Sequence, residues 1–407
     1  MTEKKPLLTV EEALSAILRD APGPMGVEDV SLAYCFGRTL ARDLAARRTQ
    51  PPKALSAMDG YALRAADAAL GPLRVVGESS AGRGFEGVCG PGDAVRIFTG
   101  APLPHGADTV LIQEDARRDG DLVSATEPVR PGRNVRVAGV DFHEGAIILR
   151  AGRRLSPADV ALAAAADYPA LPVARAPRVA VLSTGDELVA PGTPRGPDQI
   201  VSSNALSVLG LVAAAGGEAL DLGIASDKLD EIEAAIGRAR SAAADILVTI
   251  GGASVGDRDL VRGALAREGM ELQFWKVNMK PGKPLIHGHI GPMRVIGLPG
   301  NPVSAAVCGD LFLRPLIRAL SGDKNAGADR TEPALAGTDL PAGGSRREYL
   351  RATLAFDAEG RVVATPQADQ DSSLTKVLAY SEALVLREEK ASPCKKGEAL
   401  RILRLGA

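Results

Sequence analysis

The sequence predicts a multidomain protein of α/β and β parts. A doubly wound α/β domain forms its middle, with a β-rich insertion domain before it and a small β-domain after it. Three observations carry this. Between Pro177 and Leu320, strand-length apolar runs alternate with helix-period segments. Between Arg47 and His143, short β-like runs follow one another with only Gly/Pro turns between them. The 407 residues suffice for about two to four domains.

Taken in order, "TVEEALSAILRDA" opens a helix. Thr9 and Glu12 have capping-box spacing, and Ala13, Ile17 and Leu18 supply one apolar face. The β-rich stretch holds the runs Leu73–Val76, Ala94–Phe98, Thr109–Gln113 and Leu122–Ala125. "LSPADVALAAAADY" is helical, with Ser156 as cap and Pro157 in the first turn. From Pro177 the strands are "RVAVLST", "EALDLGIAS", "DILVTIGG", "FWKVNMK" and "MRVIGLPG". The helices among them are "SNALSVLGLVAAAG", "KLDEIEAAIGRARS", "RDLVRGALARE" and "NPVSAAVCGDLFLRPLIRAL". A polar linker follows, and residues 338–407 read as short strands and turns. The expected domains are 1–46 with 144–176 (mixed, helical), 47–143 (β-rich insertion), 177–325 (α/β) and 326–407 (C-terminal β).

Composition narrows the function classes. A net charge of -2 carries no nucleic-acid or membrane signature, and 3% aromatics argue against a base-stacking surface. No apolar stretch of membrane-spanning length is free of charge. Cys35, Cys89, Cys308 and Cys394 lie far apart, without zinc or redox spacing. The start, "MTEKKPLLTV", lacks the apolar core of a signal peptide. A cytoplasmic protein is expected.

In open α/β sheets, ligands bind beyond the carboxyl ends of the strands. Those positions carry Ser183, Thr184, Asp186 and Glu187; Ser226 and Asp227; Gly251, Gly252, Ser254, Asp257 and Asp259; and Lys276, Lys280 and Lys283. "GLPGNPVS" adds Pro299, Gly300 and Pro302 at a helix start. Each has a plain structural reading too. A carboxylate after a strand often caps the next helix. "GGASVG" alone is a weak phosphate signal. The pair in "HGH", His287 and His289, lacks a third ligand at metal spacing and reads as flanking a tight turn. Together they say more. Backbone N–H groups and lysines suit an anion. Carboxylates in the same place suit it only if a divalent cation such as magnesium bridges them to phosphate. In the β-rich stretch, "SAMDGYALR" places Asp59 before Gly60, itself a hairpin-turn signal. Thr99 ends a β-run, and Arg133, Arg136 and Asp141 follow in "RPGRNVRVAGVD".

"SAMDGYA", "TGAPLPHGADTV", "VLSTGDEL", "GGASVGD", "KPGKP" and "GLPGNPVSA", in this order, closely resemble the molybdopterin molybdenumtransferase family of MoeA type, to which the gephyrin E domain belongs. The likeness covers essentially the whole chain. It implies an elongated homodimer of four-domain chains, with the α/β domain of the molybdopterin-binding kind. It implies a reaction in which adenylylated molybdopterin and molybdate give molybdenum cofactor and AMP, with a divalent metal such as Mg2+. The adenylyltransferase and recipient molybdoenzymes are candidate protein partners.

The family's functional positions fall on Asp59, Thr99, Arg136, Asp141, Glu187, Asp227, Asp259, Lys276, Lys280, Pro299 and Pro302, with Lys283 close by. Following charge, Lys276, Lys280 and Arg136 would hold molybdate and phosphate oxygens. Asp227, Asp259 and Glu187 would hold the metal. Asp59 and Asp141 would lie near the cleaved bond or the metal's entry, as general base or as positioning groups. The chain departs from the pattern twice. Val140 replaces an acidic residue that often precedes the aspartate. "QDSSLTKVLAYSEAL" stands where a Gly-Ser-Gly type turn is common, and Ser372 there, with Arg351, is a candidate ligand contact. Two other functions compete. The related α/β domain catalyses the adenylylation step alone in other proteins, but the β-rich insertion would then be superfluous. A non-catalytic scaffold would call for a receptor-binding linker, which the chain does not show.

Overall fold

The computed structural model describes residues 7–252 and 260–406. Ser254, Asp257 and Asp259 fall outside the described residues. The chain forms two compact units. One comprises Met1–Glu28, Gly37–Ala41 and Val173–Ala407, the other Asp29–Phe36 and Arg42–Pro172.

Helix α1, Val10–Arg19, starts where the spacing predicts. The Thr9 hydroxyl accepts from the Glu12 amide, and the Glu12 carboxylate accepts from the Thr9 amide. The second unit holds a six-stranded sheet of β1 (Gly60–Leu63), β2 (Leu73–Ser79), β3 (Asp93–Ile97), β4 (Thr109–Ile112), β5 (Ala116–Asp119) and β6 (Leu122–Ala125). Their order is β4-β1-β3-β2-β6-β5, and only β2 and β3 run parallel. Helix α2, Pro157–Ala165, also carries a capping box, from Ser156 and Asp159.

The α/β part of the first unit contains β7 (Arg178–Thr184), α3 (Asn204–Ala215), β8 (Glu218–Ala225), α4 (Leu229–Ser241), β9 (Ile246–Ile250), α5 (Leu260–Arg267), β10 (Glu271–Lys276), β11 (Pro284–Ile290) and β12 (Met293–Leu298). The sheet order is β8-β7-β9-β12-β11-β10. The first four strands are parallel, as the alternation predicts, and β11 is antiparallel to both neighbours. This corrects two local readings. "HGH" lies within β11, with His287 wholly buried, rather than at a turn. The "FWKVNMK" run is two strands, because Met279–Lys280 leaves the sheet to pair elsewhere. The last helical run is α6 (Pro302–Cys308), a π-helical turn over Gly309–Leu313 and α7 (Arg314–Leu320).

The C-terminal part is built from β13 (Thr331–Ala336), β14 (Arg347–Phe356), β15 (Val362–Pro366), β16 (Ala383–Arg387) and β17 (Ala399–Arg404). They pair in the order β14-β15-β13-β17-β16, and β16 pairs back onto β14, so five strands close on themselves. Closure leaves no free edge. One apolar core links α1, the sheet and α6 to this barrel: Ile17, Val208, Val248, Leu298, Phe312, Tyr349 and Leu384 all belong to it. No helix among the described residues is long and apolar enough to cross a membrane.

Candidate active site

The parallel strands β7, β9 and β12 deliver their carboxyl ends to one edge. There they form a cleft of about 500 Å3 lined by Thr184, Gly185, Glu187, Asp227, Gly251, Gly252, Pro299, Gly300, Asn301 and Ser304. Gly251 (φ +97°) and Gly252 (φ +62°) sit where a side chain would strike Thr184 and Val261 respectively. The Gly251 amide donates to the Leu298 carbonyl at 3.2 Å, which ties this turn to the end of β12. An adjoining recess holds Ser183, Ser202, Ser203 and Pro302 beside Thr184 and Glu187. Ser183, Thr184 and Ser202 are buried hydroxyls, and the Ser202 and Ser183 oxygens are 3.4 Å apart.

The carboxylates of this cleft repel each other. Burial first, and then the charges of Asp186 and Glu187, push the Asp227 carboxyl above its ordinary range. Asp186 accepts from the Asp227 amide at 2.9 Å. Glu187 and Asp227 would be relieved by a divalent cation between them and an anionic ligand, so the donor set fits one. No group of three or more His, Cys, Asp or Glu side chains is arranged to hold a metal among the described residues. The remaining ligands would come from phosphate or water.

A second cleft, about 360 Å3, lies between the α/β part and the barrel. It is lined by Lys280, Lys283, Arg346 and Arg351, with Tyr349, Gln370, Asp371 and Ser372. Pro284 and Ser304 line both clefts. Lys280 and Lys283 flank a loop pressed onto α6: a side-chain atom on Gly282 (φ +100°) would meet the buried Cys308 sulfur. Arg351 is almost fully buried and donates to the carbonyls of Asp369 (3.3 Å), Asp371 (2.9 Å) and Leu374 (3.3 Å). It therefore shapes the 369–374 loop from beneath. Asn301 donates to the Ser372 hydroxyl at 2.9 Å, and the Val303 amide to the Ser372 carbonyl at 3.1 Å. The loop is thus fastened to the start of α6. Burial pushes the Tyr349 hydroxyl up to about 12, which keeps it neutral.

Lys276 stands apart from both linings, with its ammonium 4.0 Å from the centre of the Trp275 ring and Arg262 over the same ring at 4.2 Å. Lys276 and Pro284 are strand partners.

In the other unit, Asp59 and Thr99 come together. One Asp59 oxygen accepts from the Thr99 amide at 2.7 Å and from its hydroxyl at 2.8 Å. These two bonds, backbone first, and the Arg96 charge hold the carboxyl below its usual range. Arg96 lies over Phe98 and Tyr61 and donates to the Gly60 carbonyl and to Gln113. Asp59-Gly60 is no hairpin turn. Gly60 enters central strand β1, where a side chain would collide with the Leu111 carbonyl. Arg136 is exposed, on a short strand paired with Leu55–Ser56. Asp141 is exposed, and its amide donates to the Gln50 carbonyl at 3.1 Å. Sequence reasoning missed Asn301, Ser304, Arg346, Tyr349 and Gln370. Asn301 and Ser304 lie inside "GLPGNPVS" and were within reach; the other three had no local signal.

Known proteins resemble this chain along its whole length. The molybdopterin molybdenumtransferase of Haemophilus influenzae is 34% identical over 398 residues, covering 97% of this chain and 98% of its own. The chain belongs to the molybdopterin molybdenumtransferase family. The Bacillus subtilis member is 33% identical, covering 99% of this chain and 95% of its own. Three family patterns match in order: the MoeA N-terminal region (domain I and II) over residues 8–166, a "Probable molybdopterin binding domain" over 180–319 and the MoeA C-terminal region (domain IV) over 333–405. The crystal structure of the molybdopterin biosynthesis MoeA protein from Pyrococcus horikoshii superposes with a TM-score of 0.84 at 28% identity, covering 98% of this chain and all of that one.

Proposed function

We propose that this chain is a molybdenumtransferase of molybdenum cofactor biosynthesis, which inserts molybdate into adenylylated molybdopterin and releases AMP. The observation that carries the reading is the meeting of two unlike clefts at Pro284 and Ser304. The cationic one suits a small oxyanion, because Lys280, Lys283, Arg346 and Arg351 converge on it. The other suits a phosphorylated ligand, because it combines glycine backbone, hydroxyls and carboxylates. A shared wall would set the oxyanion beside the phosphorylated ligand, as insertion of the one into the other requires.

In this reading Lys280 and Lys283 bind the oxyanion, Ser372 and Arg351 shape its floor, and Thr184, Gly251 and Gly252 receive phosphate. Glu187 and Asp227 would hold Mg2+, joined by Asp259. The cation would neutralise charge on the phosphates. Asp59, kept ionised by Thr99, is offered with Asp141 and Arg136 as the second charged set acting on the same substrate. A two-fold homodimer would let the β-rich part of one chain serve the α/β part of the other. The four-domain division, a cytoplasmic location and contacts with the adenylyltransferase and recipient enzymes belong to the same proposal.

The decisive assay supplies purified adenylyl-molybdopterin, magnesium and molybdate and follows AMP. Release that needs molybdate, stops in excess chelator and returns with magnesium is expected. Adenylyl-molybdopterin formed from ATP would favour the adenylylation step instead. Binding without turnover would favour a scaffold.

A further inference from the structure

The four cations of the oxyanion cleft are not equivalent. Among the described residues, Lys283, Arg346 and Arg351 have no carboxylate at ion-pair distance, whereas the Lys280 ammonium lies 3.1 Å from Glu348. The pair is built into the backbone. Met279–Lys280 runs parallel to the start of β14, with Lys280 in register with Glu348, 68 residues on in the chain. Cross-strand partners hold their side chains within reach of one another. The Lys280 side chain is 52% exposed and that of Glu348 only 18%, so the carboxylate is the fixed partner and the ammonium the movable one. An oxyanion entering the cleft meets a lysine already committed to an anion.

We propose that Glu348 tunes the affinity of this cleft by competing with the bound oxyanion for Lys280. The proposal rests on reading the cleft as an oxyanion site. Lys283, Arg346 and Arg351 attract the ligand with no carboxylate at ion-pair distance, though Arg351 also donates to the carbonyls of the 369–374 loop. Lys280 is shared with Glu348, so binding is weaker than an unpaired Lys280 would give, and the ligand can leave toward the neighbouring cleft. Glu348 touches no reacting atom in this account; it is a positioning residue acting through Lys280. Partly exposed ion pairs are modest, so the competition weakens binding by about 2- to 5-fold.

Calorimetric titration of the full chain with sodium molybdate at low ionic strength tests this. Glu348→Gln should tighten binding by about 2- to 5-fold, with the melting temperature nearly unchanged. Lys280→Gln should weaken it, and Glu348→Gln should have no further effect in that background. Glu348→Ala repeats the test should the glutamine variant fold poorly. Weaker or unchanged binding in a folded Glu348→Gln protein would overturn the proposal. So would equal tightening with and without Lys280, which would mark a long-range charge effect. If molybdate fails to bind the unaltered chain and Lys280→Gln changes nothing, the oxyanion reading itself falls.

Discussion

Gly282 is the position where a single methyl group should damage both fold and site. A side-chain atom built there lies 2.3 Å from the Cys308 sulfur and 3.4 Å from the Met279 terminal carbon. Cys308 is fully buried in α6, and its thiol points at the Gly282 carbonyl at 3.6 Å. Two costs follow. A backbone φ of +100° is strained for alanine, worth about 1–2 kcal/mol. Overpacking against a fixed sulfur adds about 1–3 kcal/mol. The sum for Gly282→Ala, about 2–5 kcal/mol, far exceeds a typical surface change. Ordinary contact requires the loop to retreat by about 1 Å, carrying Lys280 and Lys283 with it, and displacements of that size can cost about 100-fold in activity. The assay is urea unfolding together with molybdate titration. Cys308→Ala in the same chain removes the sulfur and should restore the overpacking part, while the φ strain persists. Cys308→Ala alone should cost only about 1 kcal/mol. Wild-type unfolding and affinity in Gly282→Ala would refute the reasoning. No rescue by Cys308→Ala would show that crowding is not the cause.

Lys280→Ala should weaken molybdate use while lowering stability by no more than about 1 kcal/mol, since its ion pair is half exposed; a large stability loss with normal affinity would mark Lys280 as structural. Asp59→Ala and Lys280→Ala, each inactive alone, should complement on co-expression if sites are shared across a dimer. Mixed dimers form about half of the molecules and have one intact site each, so about a quarter of all sites survive; verified mixed dimers without activity would refute sharing. His287 is wholly buried, with its ring 3.1 Å from Asp20, and burial lowers its pKa despite that partner. The folded state therefore prefers the neutral ring, so this contribution is complete above the ordinary value of about 6.5 and is lost as pH falls below it. Melting temperatures at pH 8 and pH 5 should differ less in His287→Gln than in the unaltered chain; an equal difference would assign the acid loss to other groups.

Much of the fold was legible because it is written in short-range signals. Thr9 with Glu12 and Ser156 with Asp159 place two helix starts. The strand and helix alternation after Pro177 dictates parallel β7, β8, β9 and β12, and parallel strands put Thr184, Asp227, Gly251 and Pro299 at one edge by geometry alone. Non-local pairing carries no such signal. Nothing near Lys280 says that its backbone will leave the sheet and pair with β14, yet that pairing sets Glu348 beside it and Arg346, Tyr349 and Arg351 around it. Charge and spacing grouped Lys276 with Lys280, but the tertiary structure sets Lys276 over Trp275. His287 and His289 read as flanking a turn because an antiparallel strand cannot be told from a loop until its neighbours are known. Caps and periodicity act within a few residues, so local sequence dictates which elements form and which residues end the parallel strands. Which distant side chains share the cationic cleft depends on register between segments far apart in the chain, and that is settled by folding alone.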